Sequence, residues 1–297
     1  MMFPRKTWSS KRLWHCEMNP SVPQVTAHTS ALPWPLLQAP SSWRNIDFIS
    51  DLHLQDGAVT TFCAWQDFMQ TTQADAVFIL GDLFEVWVGD DIFKPEQALA
   101  FESQCAKVLK SASQRLDIFF MHGNRDFLLG SEFAKICGTT LIGDPAVLEF
   151  AGQNWLLSHG DALCLMDADY MEFRAQVRGL KWQQEFLAQP LARRLEIARA
   201  LRAQSETRKR SGVVYSDVDN PEACNWLRTA RASHLIHGHT HKPADHELGG
   251  GLHRVVLSDW DAAVKPPRVE VLRLTLKAAS SHQTETCTIR RITTDLA

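Results

Sequence analysis

Five short apolar runs, each closed by a polar cluster rich in Asp, His, Asn and Gly, constrain this chain more than any other feature of its sequence. The runs are Asn45 to Ser50 (NIDFIS), Ala76 to Leu80 (AVFIL), Asp117 to Met121 (DIFFM), Trp155 to Ser158 (WLLS) and His234 to His237 (HLIH). Unbroken apolarity over so short a length marks strands covered on both faces, because successive side chains point to opposite sides of a sheet. Between the runs, Val59 to Thr71, Pro95 to Ser113 and Ser131 to Cys137 space their apolar residues as amphipathic helices do. Strands alternating with helices predict an α/β core. Arg254 to Ser258 and Val269 to Leu276 read as further strands, expected to form an antiparallel second sheet.

The polar clusters all fall at the C-terminal ends of these runs. Asp51 and His53 (DLH) follow the first, Asp82 (GDLF) the second, and Asn124, Arg125 and Asp126 (GNRD) the third. His159 (SHGD) follows the fourth, and His239 and His241 (HGHTH) follow the fifth. Open α/β sheets bind ligands outside the carboxyl ends of their strands, so residues remote in sequence are expected to meet there. Imidazole, carboxylate and amide groups, with no thiolate among them, suit a pair of divalent first-row cations such as Mn, Fe or Zn. An Asp-x-His on extended chain is expected to put both side chains on one side. Asp82 is the candidate for a carboxylate that bridges two cations. Gly81, Gly123, Gly160 and Gly238 stand at the clusters, where the chain must turn sharply or let a phosphate approach the backbone.

In this order DLH, GDLF, GNRD, HGD and GHTH resemble the signature of the calcineurin-like metallophosphoesterases, over about Asn45 to Arg273. The longer stretches FISDLHL, ILGDLFEVWVGDD, HGNRDFLLG, SHGDALC and LIHGHTHKPADHEL are similar to the lipid A branch of that family, the UDP-2,3-diacylglucosamine hydrolases. The resemblance implies a four-layer αββα sandwich with an inserted helical cap for acyl chains. It implies two divalent metal ions, Mn2+ first among the candidates, one held by Asp51, His53, Asp82 and His241 and the other by Asp82, Asn124, His159 and His239. Arg125 and His239 would stabilise charge on the phosphoryl oxygens, with His239 also a proton donor. Asn124, Arg125, Asp167, Ser205 and His239 would contact substrate. Beyond Ser205 the match loosens, and Arg208, Lys209 and Arg210 are all candidates for the diphosphate. The implied reaction is attack of a metal-activated water on the α-phosphorus of UDP-2,3-diacylglucosamine, giving UMP and 2,3-diacylglucosamine 1-phosphate.

The same resemblance implies a UDP-diacylglucosamine lipid and the inner-leaflet membrane surface as partners, no nucleic acid, and a cytoplasmic protein peripheral to the inner membrane. Two rival readings keep the fold. One is another two-metal phosphoesterase, a nuclease, cyclic nucleotide phosphodiesterase or general phosphatase, which an open basic groove in place of an apolar tunnel would distinguish. The other is a scaffold without catalysis, which should show gaps among the ligand positions; here every position is filled.

The remaining chain sets the boundaries. Prolines 4, 20, 23, 33, 35 and 40 interrupt residues 1–44, which read as a disordered leader with Met18 as an alternative start. A metallophosphoesterase domain is expected over 45–277, with the cap at about 168–230 and a polar tail at 278–297. From Tyr170 to about Arg210 the pattern is almost continuously helical, with ten Lys and Arg against Glu172, Glu185, Glu196 and Glu206. That excess reads either as a substrate-facing surface or as the solvated face of packed helices. A net charge of -3 argues against nucleic-acid binding through the overall field. Seven scattered cysteines, none in C-x-x-C, fit reduced thiols better than a disulfide framework or a structural zinc site. His122 and His237 read as buried neighbours orienting the site, and His234, His246 and His253 take no role. Asp126 and Asp161 are either acceptors behind the ligand histidines or turn carboxylates, and Asp90 and Asp91 a helix-cap pair.

Overall fold

All five apolar runs are strands, and the side chains of each divide between two cores. The computed structural model describes residues 32–94, 99–210, 216–277 and 286–293, with the backbone alone at 204–206 and 208–210. Its strands in chain order are β1 (Leu36–Gln38), β2 (Asn45–Ile49), β3 (Ala76–Leu80), β4 (Asp117–Met121), β5 (Thr140–Ile142) and β6 (Ala146–Phe150). They continue with β7 (Gln153–Ser158), β8 (Ala232–His237), β9 (Ala244–Gly249), β10 (Leu252–Val256), β11 (Glu270–Lys277) and β12 (Thr286–Thr293). One sheet has the order β1-β6-β7-β8-β10-β9 and the other β12-β11-β2-β3-β4-β5.

The period of two explains the layers. In β3, Ala76, Phe78 and Leu80 enter the core between the sheets, while Val77 and Ile79 face the helices outside. Phe48, Phe78 and Phe119 from adjacent strands stack within the inter-sheet core, with centroids 5.2 and 4.6 Å apart. Helices α1 (Val59–Thr71), α2 (Ala100–Ala112) and α3 (Ser131–Cys137) cover the outer face of the β2-β3-β4 sheet. On the other sheet, Leu156 and Leu235 pack outward against Ala223 and Leu227 of α7 (Asn220–Ala230). The stack is therefore helix, sheet, sheet, helix. Parallel pairing of β2, β3 and β4, and of β7 and β8, brings each sheet's strand ends to a common edge.

Three helices stand outside the sandwich as a cap: α4 (Ala168–Val177), α5 (Leu180–Leu187) and α6 (Leu191–Arg210). Gly179 and Pro190 break what reads in sequence as one continuous helical stretch, since the residue before a proline is driven out of helical geometry. The cap is seated by an apolar stripe: Trp182 stacks on Phe186 with centroids 4.8 Å apart and meets Phe127 of the sandwich at 6.2 Å. Arg194, only 1% exposed, pins α6 through Asp91 and the carbonyls of Val88 and Gln189.

Several boundaries expected from sequence move. The leader expected over 1–44 contains β1, which pairs in parallel with β6; residues 1–31 lie outside the described residues. The polar tail expected over 278–297 contains β12, antiparallel to β11 along its full length. β10 and β11 do not share a sheet: β10 runs parallel to β8, and β11 is antiparallel to β2. The expected cap at 168–230 loses its last helix, because α7 packs on the sheet rather than on the cap. Helix α2 starts at Ala100, and residues 95–98 of its expected span lie outside the described residues.

Candidate metal centre

The loops after β2, β3 and β4 in one sheet, and after β7 and β8 in the other, converge on one point. The backbone there is unusual: Asp51, His53, Asp82, His239 and His241 have φ of 54°, 49°, 54°, 66° and 53°. They are five of the seven non-glycine residues with positive φ among the described residues. Such residues cost about 1–3 kcal/mol each and concentrate where geometry serves a site. Asp51 with His53, and His239 with His241, are therefore not on extended chain, as the period-two argument expects; left-handed backbone at both members of each pair aims them. Two glycines are fixed by close approach, since a Cβ at Gly123 would overlap Asp82 Oδ1 and one at Gly238 would overlap Asp51 Oδ2.

Seven side chains meet within this space. His53 Nε2 lies 3.3 Å from His241 Nε2, and His241 Nε2 lies 3.4 Å from Asp51 Oδ1. Asp82 sits between two histidines, Oδ2 at 4.0 Å from His53 Nε2 and Oδ1 at 3.9 Å from His159 Nε2. Asn124 Oδ1 is 3.0 Å from His159 Nε2 and 2.9 Å from His239 Nδ1. Donor atoms of Asp51, His53 and His241 lie within 4.8 Å of one another, as do those of Asp51, Asp82 and His159. Asp51 thus belongs to both groups, as well as Asp82 lying between them.

This donor set fits divalent cations. Asp51 Oδ1 is buried and makes no aligned hydrogen bond, while its Oδ2 accepts from Ser50 Oγ at 2.6 Å and from the His239 amide at 2.8 Å. A buried carboxylate oxygen among imidazole nitrogens with no donor of its own is what a first-row cation requires. Burial alone would raise the Asp51 carboxyl, but His241, His159 and His53 outweigh it and hold it well below the carboxylate range. Burial also opposes charge on His159, yet Asp82, Asp51 and Asp161 push it up to about 9. His239 is driven the other way, down to about 3, by burial and by neighbouring His159.

The model of calcineurin-like phosphoesterases matches residues 44–243, a span that contains every one of these side chains. The chain belongs to that family. Among curated relatives, the UDP-2,3-diacylglucosamine hydrolase of Cellvibrio japonicus is 45% identical over 73% of this chain and 91% of its own length. That of Chromobacterium violaceum is 44% identical over 72% and 90%, and that of Ralstonia nicotianae 44% over 76% and 88%. Calcineurin-like phosphoesterases use divalent metals, and the donor groups described above are suited to them.

Around the centre, the phosphoesterase fold buries several charges that sequence alone left ambiguous or without a role. Asp126 is wholly buried and accepts from the amides of Leu83 at 2.8 Å and Gly123 at 2.9 Å, bracing the two loops rather than a histidine. Burial and Asp82 push its carboxyl up to about 7. Asp161 accepts from Tyr170 Oη at 2.7 Å and Arg174 Nε at 2.8 Å, tying α4 to the loop after β7. Tyr170 stacks on His239, centroids 5.8 Å apart. Asp90 and Asp91 both open the 3-10 turn Asp90–Phe93, but their side chains part: Asp90 accepts from the amides of Gly130 and Phe133 at the start of α3, whereas Asp91 binds Arg194 of the cap. His237 Nδ1 donates to the Gly238 carbonyl at 2.9 Å, and His122 Nε2 to that of Leu129 at 2.6 Å.

A cavity of about 520 Å³ opens from the centre beneath the cap. Its floor is polar, with His53, Asp82, Asn124, Arg125 and His239; its far wall is apolar, with Trp87, Phe127, Phe173, Trp182, Phe186 and Leu201. Asp167 lines it while capping α4, accepting from the Tyr170 amide at 3.1 Å. The basic excess of the insertion is partly consumed in structure: Arg174 and Arg178 pair with Asp161, and Arg194 with Asp91. Ser205, Arg208, Lys209 and Arg210 fall on α6, and their side chains lie outside the described residues.

Proposed function

We propose that this phosphoesterase hydrolyses the pyrophosphate bond of UDP-2,3-diacylglucosamine, releasing UMP and 2,3-diacylglucosamine 1-phosphate, with two Mn2+ ions as cofactors. The observation that carries the reading is the cavity, which joins a hydrophilic floor of metal-ligand type to an aromatic and aliphatic wall shared by the cap and the loops after β3 and β4. A substrate with a diphosphate at one end and acyl chains at the other matches that division; the curated relatives' name points to the same lipid.

In this reading Asp51, His53, Asp82 and His241 hold one cation, and Asp82, Asn124, His159 and His239 the other. When bound, such cations supply Lewis-acid polarisation of phosphoryl oxygens and acidify water. Arg125 faces the cavity with Nε buried and unpartnered, and its fork suits two phosphoryl oxygens. Asn124, Asp167, Ser205 and one of Arg208, Lys209 and Arg210 are assigned to substrate. The Leu80 carbonyl, 2.9 Å from His159 Nδ1, keeps the proton on that atom and leaves Nε2 to face Asn124 and Asp82.

The cap also supports a peripheral membrane location at the cytoplasmic face of the inner membrane. Leu180 of the cap is 77% exposed, next in sequence to the exposed Lys181, a pairing suited to an anionic leaflet. Among the described residues no helix is long and apolar enough to cross a membrane.

The test is hydrolysis by purified protein with Mn2+ of UDP-2,3-diacylglucosamine, a dinucleotide and p-nitrophenyl phosphate in parallel. Release of UMP from the first, at far higher kcat/KM than turnover of the others, is expected. Activity on the last two alone rejects the lipid assignment.

A further inference from the structure

Glu85 is buried three residues beyond Asp82, and its two oxygens face different partners. Oε2 lies 3.2 Å from His53 Nδ1, an ion-pair contact that is not aligned as a hydrogen bond. Oε1 lies 3.6 Å from Arg125 NH1 and is paired with Arg202 NH1. The three partners come from three parts of the chain: the loop after β2, the loop after β4, and cap helix α6. No other carboxylate among the described ion pairs joins the candidate centre directly to α6.

We propose that Glu85 is a positioning residue that fixes the tautomer of His53 and the aim of Arg125, and that Arg202 fastens this arrangement to the cap. The inference rests on the reading of the centre given above. The negative charge of a carboxylate beside Nδ1 favours the imidazole proton there, which leaves the lone pair on Nε2, the atom that faces His241 and Asp82. Glu85 in turn needs compensation, because a buried carboxylate without positive neighbours is costly. Arg125 and Arg202 both supply it at Oε1. Removing Glu85 would free His53 to turn and leave two guanidinium groups facing each other as like charges. Seating of the cap and orientation of a metal ligand thereby depend on one side chain.

The experiment titrates Mn2+ calorimetrically into wild type, Glu85→Ala and Glu85→Gln, and measures kcat and KM on the diphosphate lipid at saturating Mn2+. Glu85→Ala should weaken Mn2+ binding by about 10–100-fold, the usual effect of losing a carboxylate behind a ligand histidine. Glu85→Gln keeps an oxygen for His53 but no charge for the arginines. It should bind Mn2+ nearly as wild type does while losing roughly tenfold in kcat/KM, chiefly through KM. Being close to isosteric, it keeps the proposal testable if the alanine variant does not fold. Wild-type Mn2+ affinity and kinetics in both variants would overturn the proposal, as would a glutamine variant that binds Mn2+ as poorly as the alanine one. A wild-type protein that binds no Mn2+ would overturn the reading of the centre itself.

Discussion

His53 and His241 turn the same ring atom towards each other, Nε2 to Nε2 at 3.3 Å, although 188 residues separate them in the chain. Two lone pairs aimed at one point repel unless a proton or a cation lies between them, and Asp51 Oδ1 at 3.4 Å from His241 adds a third donor atom. Chelation should therefore lower the melting temperature and abolish hydrolysis, and Mn2+ should restore both. At a hundredfold excess over Kd the restored stability is about 2.7 kcal/mol. Differential scanning fluorimetry with EDTA and graded Mn2+ reads this directly. A melting point indifferent to Mn2+ would contradict the centre, and His241→Ala, which removes a donor from one of the two groups, should show a smaller Mn2+ response than wild type.

Asp82 offers one oxygen to each side of the centre, so Asp82→Asn should strike both cations at once. The neutral amide can still accept the Arg125 amide proton, now held by Oδ1 at 2.8 Å, which favours a retained fold. The expected result is roughly a 10³-fold loss of kcat, of the order seen when a directed charge-stabilising group is removed, with bound metal falling below two per chain. Elemental analysis beside steady-state rates measures both. Near-normal turnover would mean that Asp82 does not bridge.

Leu201 lines the cavity from α6 and is 39% exposed. Leu201→Gln puts an amide into an apolar wall at a cost of about 1–3 kcal/mol, which corresponds to about a tenfold rise in KM for the diacyl substrate. Hydrolysis of p-nitrophenyl phosphate should not change, because the polar floor is untouched. Equal effects on both substrates would place the acyl chains elsewhere.

Stability should fall in mild acid. Burial, with smaller help from Arg254, holds His237 down to about 4, below the ordinary 6.5, and burial lowers His122 as well. Both ring contacts suit neutral imidazole, His237 donating from Nδ1 to Gly238 and facing Arg254 through Nε2 at 3.5 Å. Between pH 6.5 and 4 the unfolded chain takes up a proton at His237 that the folded protein refuses. Its contribution is therefore complete above pH 6.5 and declines as pH falls, by ~3 kcal/mol at most for His237. Urea midpoints from pH 7.5 to 4.5 should drop less for His237→Gln than for wild type; parallel curves would count against a neutral His237.

The central strands and the centre were legible for one physical reason. β2, β3, β4, β7 and β8 are covered on both faces, which writes them as apolar runs, and their ends carry side chains with little use except as ligands. The edges left weaker marks. β9 alternates half-buried and exposed residues in ADHELG, which lacks β-branched side chains. β1 and β5 have three residues each, too few to show a period. β6 did leave a signal, AVLEF joined to β7 by Ala151 and Gly152, both at positive φ as a tight hairpin turn demands. Glu85 and Tyr170 were hidden because their roles depend on groups brought in by other elements: an acid within LFEVW and a tyrosine in a helix carry no ligand pattern of their own.

The centre takes Asp51, His53, Asp82 and Asn124 from one sheet and His159, His239 and His241 from the other. A cation gripped from both sides is a rivet through the seam of the sandwich. Stripping it would leave each sheet's internal ladder whole and slacken the join between them, so metal content would govern how tightly the two halves of this molecule stay closed.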